Sequence, residues 1–388
     1  MQTEEVRPEI LRPEEVAPAI QELFGYPVLL EGMRSFLPTA LYNQVEHAKD
    51  DVRTVDDFQA KIIWPILKMI EQASITRLTA SGLEGLQPEG RYLFISNHRD
   101  IVLDSAYLNT VLFENGYPTS QIAIGDNLMR HRISELIFKL NKSFVVRRSG
   151  TPMELYRYSV LLSEYIHGQI SSGAGSVWIA QREGRAKDGD DRTQTGLLKM
   201  LSLSGQSAGI RAHFDTLQLR PVTISYEYDP CDLLKTLEYL KKRENPDYKK
   251  PFEEDLQHMI TGLRGPKGRV HFHFGDPLGA ALDALDAQPN PKKQLEALSG
   301  IIDQAIHLHY ALHAVNYVAN DWLHGAKEAA SRFPEAEIAR AADYLKGKLA
   351  QLPADADHEA GRAYFLGMYA NPLRNHRAAL DASGQRQP

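Results

Sequence analysis

The sequence predicts an α/β fold: a mixed, mostly parallel sheet covered by helices, with helical N-terminal and C-terminal parts. Two observations carry this. Short apolar runs of strand character recur through the middle of the chain, and most are separated by stretches of helical periodicity, the alternation that builds a sheet covered on both faces. Strand character is missing before about residue 75 and after about residue 285, so the reading divides the chain into 1–75, 76–284 and 285–388.

Taken in order, residues 1–75 alternate proline-punctuated stretches with helical periodicity, and Pro18, Pro27 and Pro38 limit helix length. ITRLTASGLEGL then alternates like a strand, and Gly90 leads into the apolar run RYLFISN. Similar runs follow at SQIAIG, SFVVRR, GSVWIAQ, LRPVTISYE and GRVHFHFG, with helical stretches such as HRISELIFKLN and MELYRYSVLLSEYIHG between them. LEALSGIIDQAIHLHYALHAVNYVANDWL and EAEIARAADYLKGKLAQL read as long helices, followed by a polar tail after Leu380. No internal repeat or low-complexity tract interrupts them.

Composition narrows the function classes. Lys and Arg number 44 against 50 Asp and Glu, a net charge of −6, which argues against nucleic-acid binding by bulk electrostatics. Apolar residues at 43 % and charged residues at 24 % suit a folded globular chain rather than a disordered one. The single cysteine, Cys231, has no intrachain disulfide partner, and MQTEEVRPEI is not a basic-then-apolar leader; both point to a reducing cytoplasm. No apolar run approaches the length of a membrane span. The richest segment, KIIWPILKMI from Lys61 to Ile70, is short and broken by Pro65. It reads as a packed helix at a domain junction or as an interfacial segment on a membrane surface.

Four blocks carry chemistry. In SNHRDIVLD, His98 follows a strand and Asp104 opens a helix, the arrangement of a base and the carboxylate that orients it. FVVRR ends a strand with Arg147 and Arg148, whose guanidinium forks suit phosphate or carboxylate. VWIAQREGRAKDG runs from a strand into a loop with Arg182, Glu183, Gly184, Arg185 and Lys187, where Gly184 lets the backbone approach a ligand. RPVTISYEYDP places Pro221 before an apolar strand ending in Tyr226 and Glu227.

In this order, over residues 75–280, the blocks resemble the motifs of the glycerolipid acyltransferase superfamily, which acylates glycerol 3-phosphate or lysophosphatidic acid. In that family the first motif is His, four residues, Asp; the others are an apolar strand ending in Arg, a Glu-Gly-x-Arg loop and a proline-led strand. Here five residues separate His98 from Asp104, and the third motif reads REGR. Asp104 is the favoured orienting group, at a helix start as in the family, with Asp100 the alternative.

The resemblance implies that His98 is the general base for an acceptor hydroxyl attacking a thioester and that Asp104 orients it. Arg147, Arg148, Glu183, Gly184 and Arg185 are the implied substrate-binding residues, the arginines on the acceptor phosphate. It implies no metal and no cofactor beyond acyl-CoA or acyl carrier protein as co-substrate. The expected partners are that acyl donor thioester, a phosphorylated glycerol or lyso-lipid acceptor and a peripheral membrane surface, at the inner face of the membrane in the cytoplasm, with no nucleic acid. The expected function is acylation of glycerol 3-phosphate in phospholipid biosynthesis; acylation of 1-acylglycerol 3-phosphate and non-catalytic lipid binding are the alternatives. His307, His309, His313, His271 and His273 lack a ligand pattern and read as packed or surface histidines, and Trp178 and Trp322 as core.

Overall fold

Each of the seven apolar runs becomes a strand in the computed structural model, which describes residues 8–205 and 207–384. The strands are β1 (Ile75–Ser81), β2 (Leu93–Ser96), β3 (Gln121–Gly125), β4 (Ser143–Val146), β5 (Val177–Ala180), β6 (Leu219–Tyr226) and β7 (Gly268–Phe274). They form one sheet in the order β1-β7-β6-β2-β5-β3-β4. Only β6 and β7 pair antiparallel; the other neighbours are parallel, so the sheet is mixed and mostly parallel.

Both faces are buried, as parallel strands require. Period-two alternation sends Leu93, Ile95, Val177, Ile179 and Leu219 to one face, under the helices Pro152–Ser171, Thr195–Leu201 and Ile210–Thr216. Phe94, Trp178, Ile122, Val222 and Ile224 go to the other, under Trp64–Ser74 and Leu103–Glu114. The helix Pro291–Leu308, read from sequence as part of the C-terminal region, packs Leu298, Ile302 and Ile306 into the first of these cores.

The long helix expected after residue 285 is in fact two, Pro291–Leu308 and Ala314–His324. Between them the backbone N–H of Ala311 donates to Ser225 Oγ at 3.1 Å, and that of His313 to Asn316 Oδ1 at 2.8 Å. These bonds to the end of β6 and to the next helix offset the intrahelical bonds lost at the break. Helical residues also extend past Leu380, to Ala382, where the sequence suggested a polar tail.

KIIWPILKMI is a cavity wall. Gln59–Ile63 is one turn of π-helix and Trp64–Ser74 continues as α-helix. Pro65 supplies no N–H and its ring crowds the preceding turn, which the wider π turn accommodates. Ile62, Leu67 and Ile70 are buried, and Trp64 Nε1 donates to Glu114 Oε1 at 3.0 Å.

Candidate active site

The candidate site lies where α/β sheets bind ligands, at the carboxyl ends of the parallel strands. Asn97 follows β2 and bridges to β6: its Nδ2 donates to Ile224 O at 2.9 Å and its Oδ1 accepts from Ile224 N–H at 2.8 Å. Chain leaving β2 is thereby held open, and His98 stands at the start of the loop.

His98 Nδ1 lies 2.8 Å from Asp104 Oδ2, so the carboxylate partner assigns the proton to Nδ1 and leaves Nε2 to face the cavity. Asp104 is fully buried in the first turn of Leu103–Glu114, and its Oδ2 also accepts from the N–H of Arg99 at 2.5 Å and of Asp100 at 3.0 Å. Asp100 has a different part. Its Oδ1 accepts from the N–H groups of Val102 and Leu103 at 2.9 and 2.8 Å, capping that helix, while burial first and then Asp104 push its carboxyl pKa up.

Below His98 the edge of its ring meets Trp178, with ring centroids 5.8 Å apart, and Trp178 Nε1 donates to Ser96 Oγ at 3.0 Å. A buried pair stiffens the loop from behind: Arg99 Nη2 and Tyr310 Oη both donate to Asp191 Oδ2, at 2.6 and 2.5 Å.

His98 lines a cavity of about 630 Å³. One wall is a full face of Leu103–Glu114, with Val102, Ser105, Ala106, Asn109, Thr110 and Phe113 at helical spacing, so the cavity runs roughly 16 Å along that helix. β3 forms the floor through Ile122–Gly125, and Ile63, Ile66, Leu67 and Ile70 form the roof. At the far end the lining turns polar, where Thr119 Oγ1 donates to Gln59 Oε1 at 2.7 Å and Lys142 pairs with Asp56 at 2.5 Å.

The sequence-nominated binding residues are divided by the structure. Arg148 lines the cavity at the His98 end, fixed by its N–H to Asp126 Oδ2 at 3.2 Å. Its guanidinium crosses Gly125 so closely that a Cβ there would lie 2.6 Å from Cζ, which is why glycine ends β3. Arg147 is absent from the lining; its guanidinium sits 5.1 Å from the centre of the Tyr158 ring. Gly184 lines the cavity with φ +69°, and Glu183 reaches Arg148 at 3.5 Å across the mouth.

Arg185, expected on the acceptor phosphate, instead turns into the protein. It is 7 % exposed and bonds His258 Nδ1 at 3.0 Å, beneath the helix Phe252–Arg264. Burial first, then Arg185 and Lys250, hold the His258 imidazole neutral, down to about 2. Arg182 lines the cavity in its place, with its Nε buried and unpartnered among the described residues. Arg182 is not among the residues the motifs nominate, although the sequence carries a signal for it: Trp178, Ala180 and Arg182 follow the period of two, and all three line the cavity.

Nearby histidines have structural partners. His271 bonds Thr79 and Ser81 at 2.8 and 2.9 Å, and His307 Nε2 bonds Asp191 O at 2.8 Å. Burial pushes the Cys231 thiol up to about 12, so it stays protonated and unreactive.

No protein-family model matches the chain, and no curated protein matches it. Among solved structures it is similar to the 1-acyl-sn-glycerophosphate (LPA) acyltransferase PlsC from Thermotoga maritima, at 11 % identity and a TM-score of 0.34, over 76 % of this chain and 95 % of that one.

Proposed function

We propose that this chain is an O-acyltransferase that moves a fatty acyl group from a thioester, acyl-CoA or acyl carrier protein, to glycerol 3-phosphate. The observation that carries the reading is the His98–Asp104 pair at the end of a long, largely apolar cavity, with Arg148 and Arg182 lining the same end. Base, anion site and apolar channel are the three parts that acylation of a phosphorylated alcohol needs.

In this reading His98 Nε2 takes the proton of the acceptor hydroxyl as its oxygen attacks the thioester carbonyl carbon. The C–O bond forms, the C–S bond breaks, and the imidazolium returns the proton to the leaving thiolate. Asp104 keeps the proton on Nδ1 and stabilises the cation. Arg148 and Arg182 hold the phosphate, and the acyl chain lies along the wall from Val102 to Phe113. No helix among the described residues is long and apolar enough to cross a membrane, and we place the chain peripherally on the inner face of a bilayer, where acylated product can leave.

The test is release of free thiol from acyl-CoA or acyl carrier protein, with glycerol 3-phosphate and with 1-acylglycerol 3-phosphate as separate acceptors. His98→Ala is expected to lower the rate by about 100-fold or more, since a positioned base contributes about 10²–10⁴. Acceptor-independent thiol release would instead mark a hydrolase, and no release with either acceptor would favour a lipid-binding protein.

A further inference from the structure

One buried group beside the His98–Asp104 pair has no part in the mechanism above. Tyr226 is the last residue of β6, which pairs parallel with β2 and so ends beside the loop carrying His98. Asp104 Oδ2 already accepts from the imidazole and from two backbone N–H groups. Asp104 Oδ1 and the Tyr226 hydroxyl are both buried, and neither has a hydrogen-bond partner among the described residues; Asp104 is the first charged neighbour acting on the phenol.

We propose that Tyr226 is a positioning residue, whose hydroxyl donates to Asp104 Oδ1 and holds the carboxylate so that Oδ2 meets His98. The proposal rests on the reading of His98 and Asp104 as base and orienting group. A carboxylate bonded at one oxygen only can pivot about its Cβ–Cγ bond. Bonded at both, it has one orientation, and so does the imidazole that it holds. Asp104, Asp100 and Tyr107 are the titratable groups facing the phenol, and Arg99 is the cation facing Asp104. Burial, then these carboxylates, raise the phenol well above its ordinary pKa, so it remains a donor across the working range.

Tyr226→Phe removes the hydroxyl and keeps the ring. A hydrogen bond to a charged group corresponds to about 10- to 100-fold, and that loss is expected in kcat, with the KM of both substrates within about three-fold. A carboxylate with one donor fewer holds the imidazolium more tightly. The acidic limb of kcat/KM, which reports the fraction of neutral base, should therefore move to higher pH. In an Asp104→Asn background the same change should cost much less, because the two act as a unit.

If kcat stays within about three-fold and the acidic limb does not move, the proposal is overturned. An equal loss in both backgrounds, with a lower thermal midpoint and an unmoved limb, would overturn it in favour of a purely structural tyrosine. His98→Ala in the same assay separates the two layers: full activity there removes the base reading itself, whereas its loss alongside an unaffected Tyr226→Phe removes only the role of Tyr226.

Discussion

Asp100 and Asp104 lie four residues apart, one before the helix and one in its first turn, and their hydrogen bonds set them apart. Asp104 meets the imidazole, whereas Asp100 caps the helix that carries Asp104. Asp104→Asn should therefore lower turnover by about 10²–10⁴ with little change in thermal midpoint. Asp100→Ala should cost about 0.5–2 kcal/mol of stability, read by denaturant unfolding, and retain most activity per folded molecule. The arginines divide in the same way. Arg148→Ala should raise the acceptor KM about tenfold or more while the donor KM holds, because a fixed cation on a non-reacting phosphate contributes to ground state and transition state alike. Arg185→Ala should show itself as a lower melting temperature, since that guanidinium is buried and bonded to His258. Residue types announced this chemistry, but their directions were not legible. Strict alternation from Ser143, a cavity residue, would aim Arg147 at the cavity and Arg148 away. The chain leaves β4 after Val146 and reverses that phase.

At the scale of elements, the helix Leu103–Glu114 both places the Asp104 carboxylate in its first turn and lines the cavity along its length. Its sequence, LDSAYLNTVLF, reads as helix from periodicity, yet it is apolar nearly all round. One face meets the sheet core through Tyr107, Leu108, Val111 and Leu112, and another faces the cavity through Ala106 and Thr110. Nothing in the spacing says which apolar stripe faces empty space. Ala106 sits midway along the wall, so Ala106→Phe should shorten the usable channel. Long-chain donors should then lose about tenfold or more relative to short ones, at about 0.8 kcal/mol for each methylene no longer buried. A chain-length series in the thiol-release assay checks this; uniform loss across all donors would place the acyl chain elsewhere.

At the scale of the whole molecule, ion pairs join the site loops to the C-terminal half. Glu238, 2 % exposed on the helix Asp232–Glu244, accepts from Lys187 of the Gly184 loop and from Lys242 at 3.0 Å, with Lys250 at 3.9 Å. Burial works against its charge, but the three lysines outweigh it and hold the carboxyl down at about 2, against an ordinary 4.5. A carboxyl held low in the folded state binds its proton more readily when unfolded. Its contribution is thus complete above about pH 4.5 and is lost as pH falls from there towards 2. That window is worth roughly 3 kcal/mol at about 1.4 kcal/mol for each pKa unit. Unfolding free energies measured between pH 6 and pH 2.5 should fall less steeply for Glu238→Gln than for the parent. Parallel curves would show that the lysines do not hold Glu238 charged.

The α/β class, all seven strands and the nomination of His98, Asp104 and Arg148 followed from sequence alone. Periodicity and turn chemistry act over a few residues, and a base, a carboxylate and a guanidinium have few substitutes. Tertiary structure decided what depends on direction. It aimed Arg182 rather than Arg185 at the cavity, made Asp100 a cap, turned KIIWPILKMI into a cavity roof and brought Tyr226 near Asp104 from 122 positions further along the chain. Those outcomes depend on which strand neighbours which and on where a strand ends. Both are settled by the packing of the whole sheet against its helices, and no local stretch of sequence encodes them.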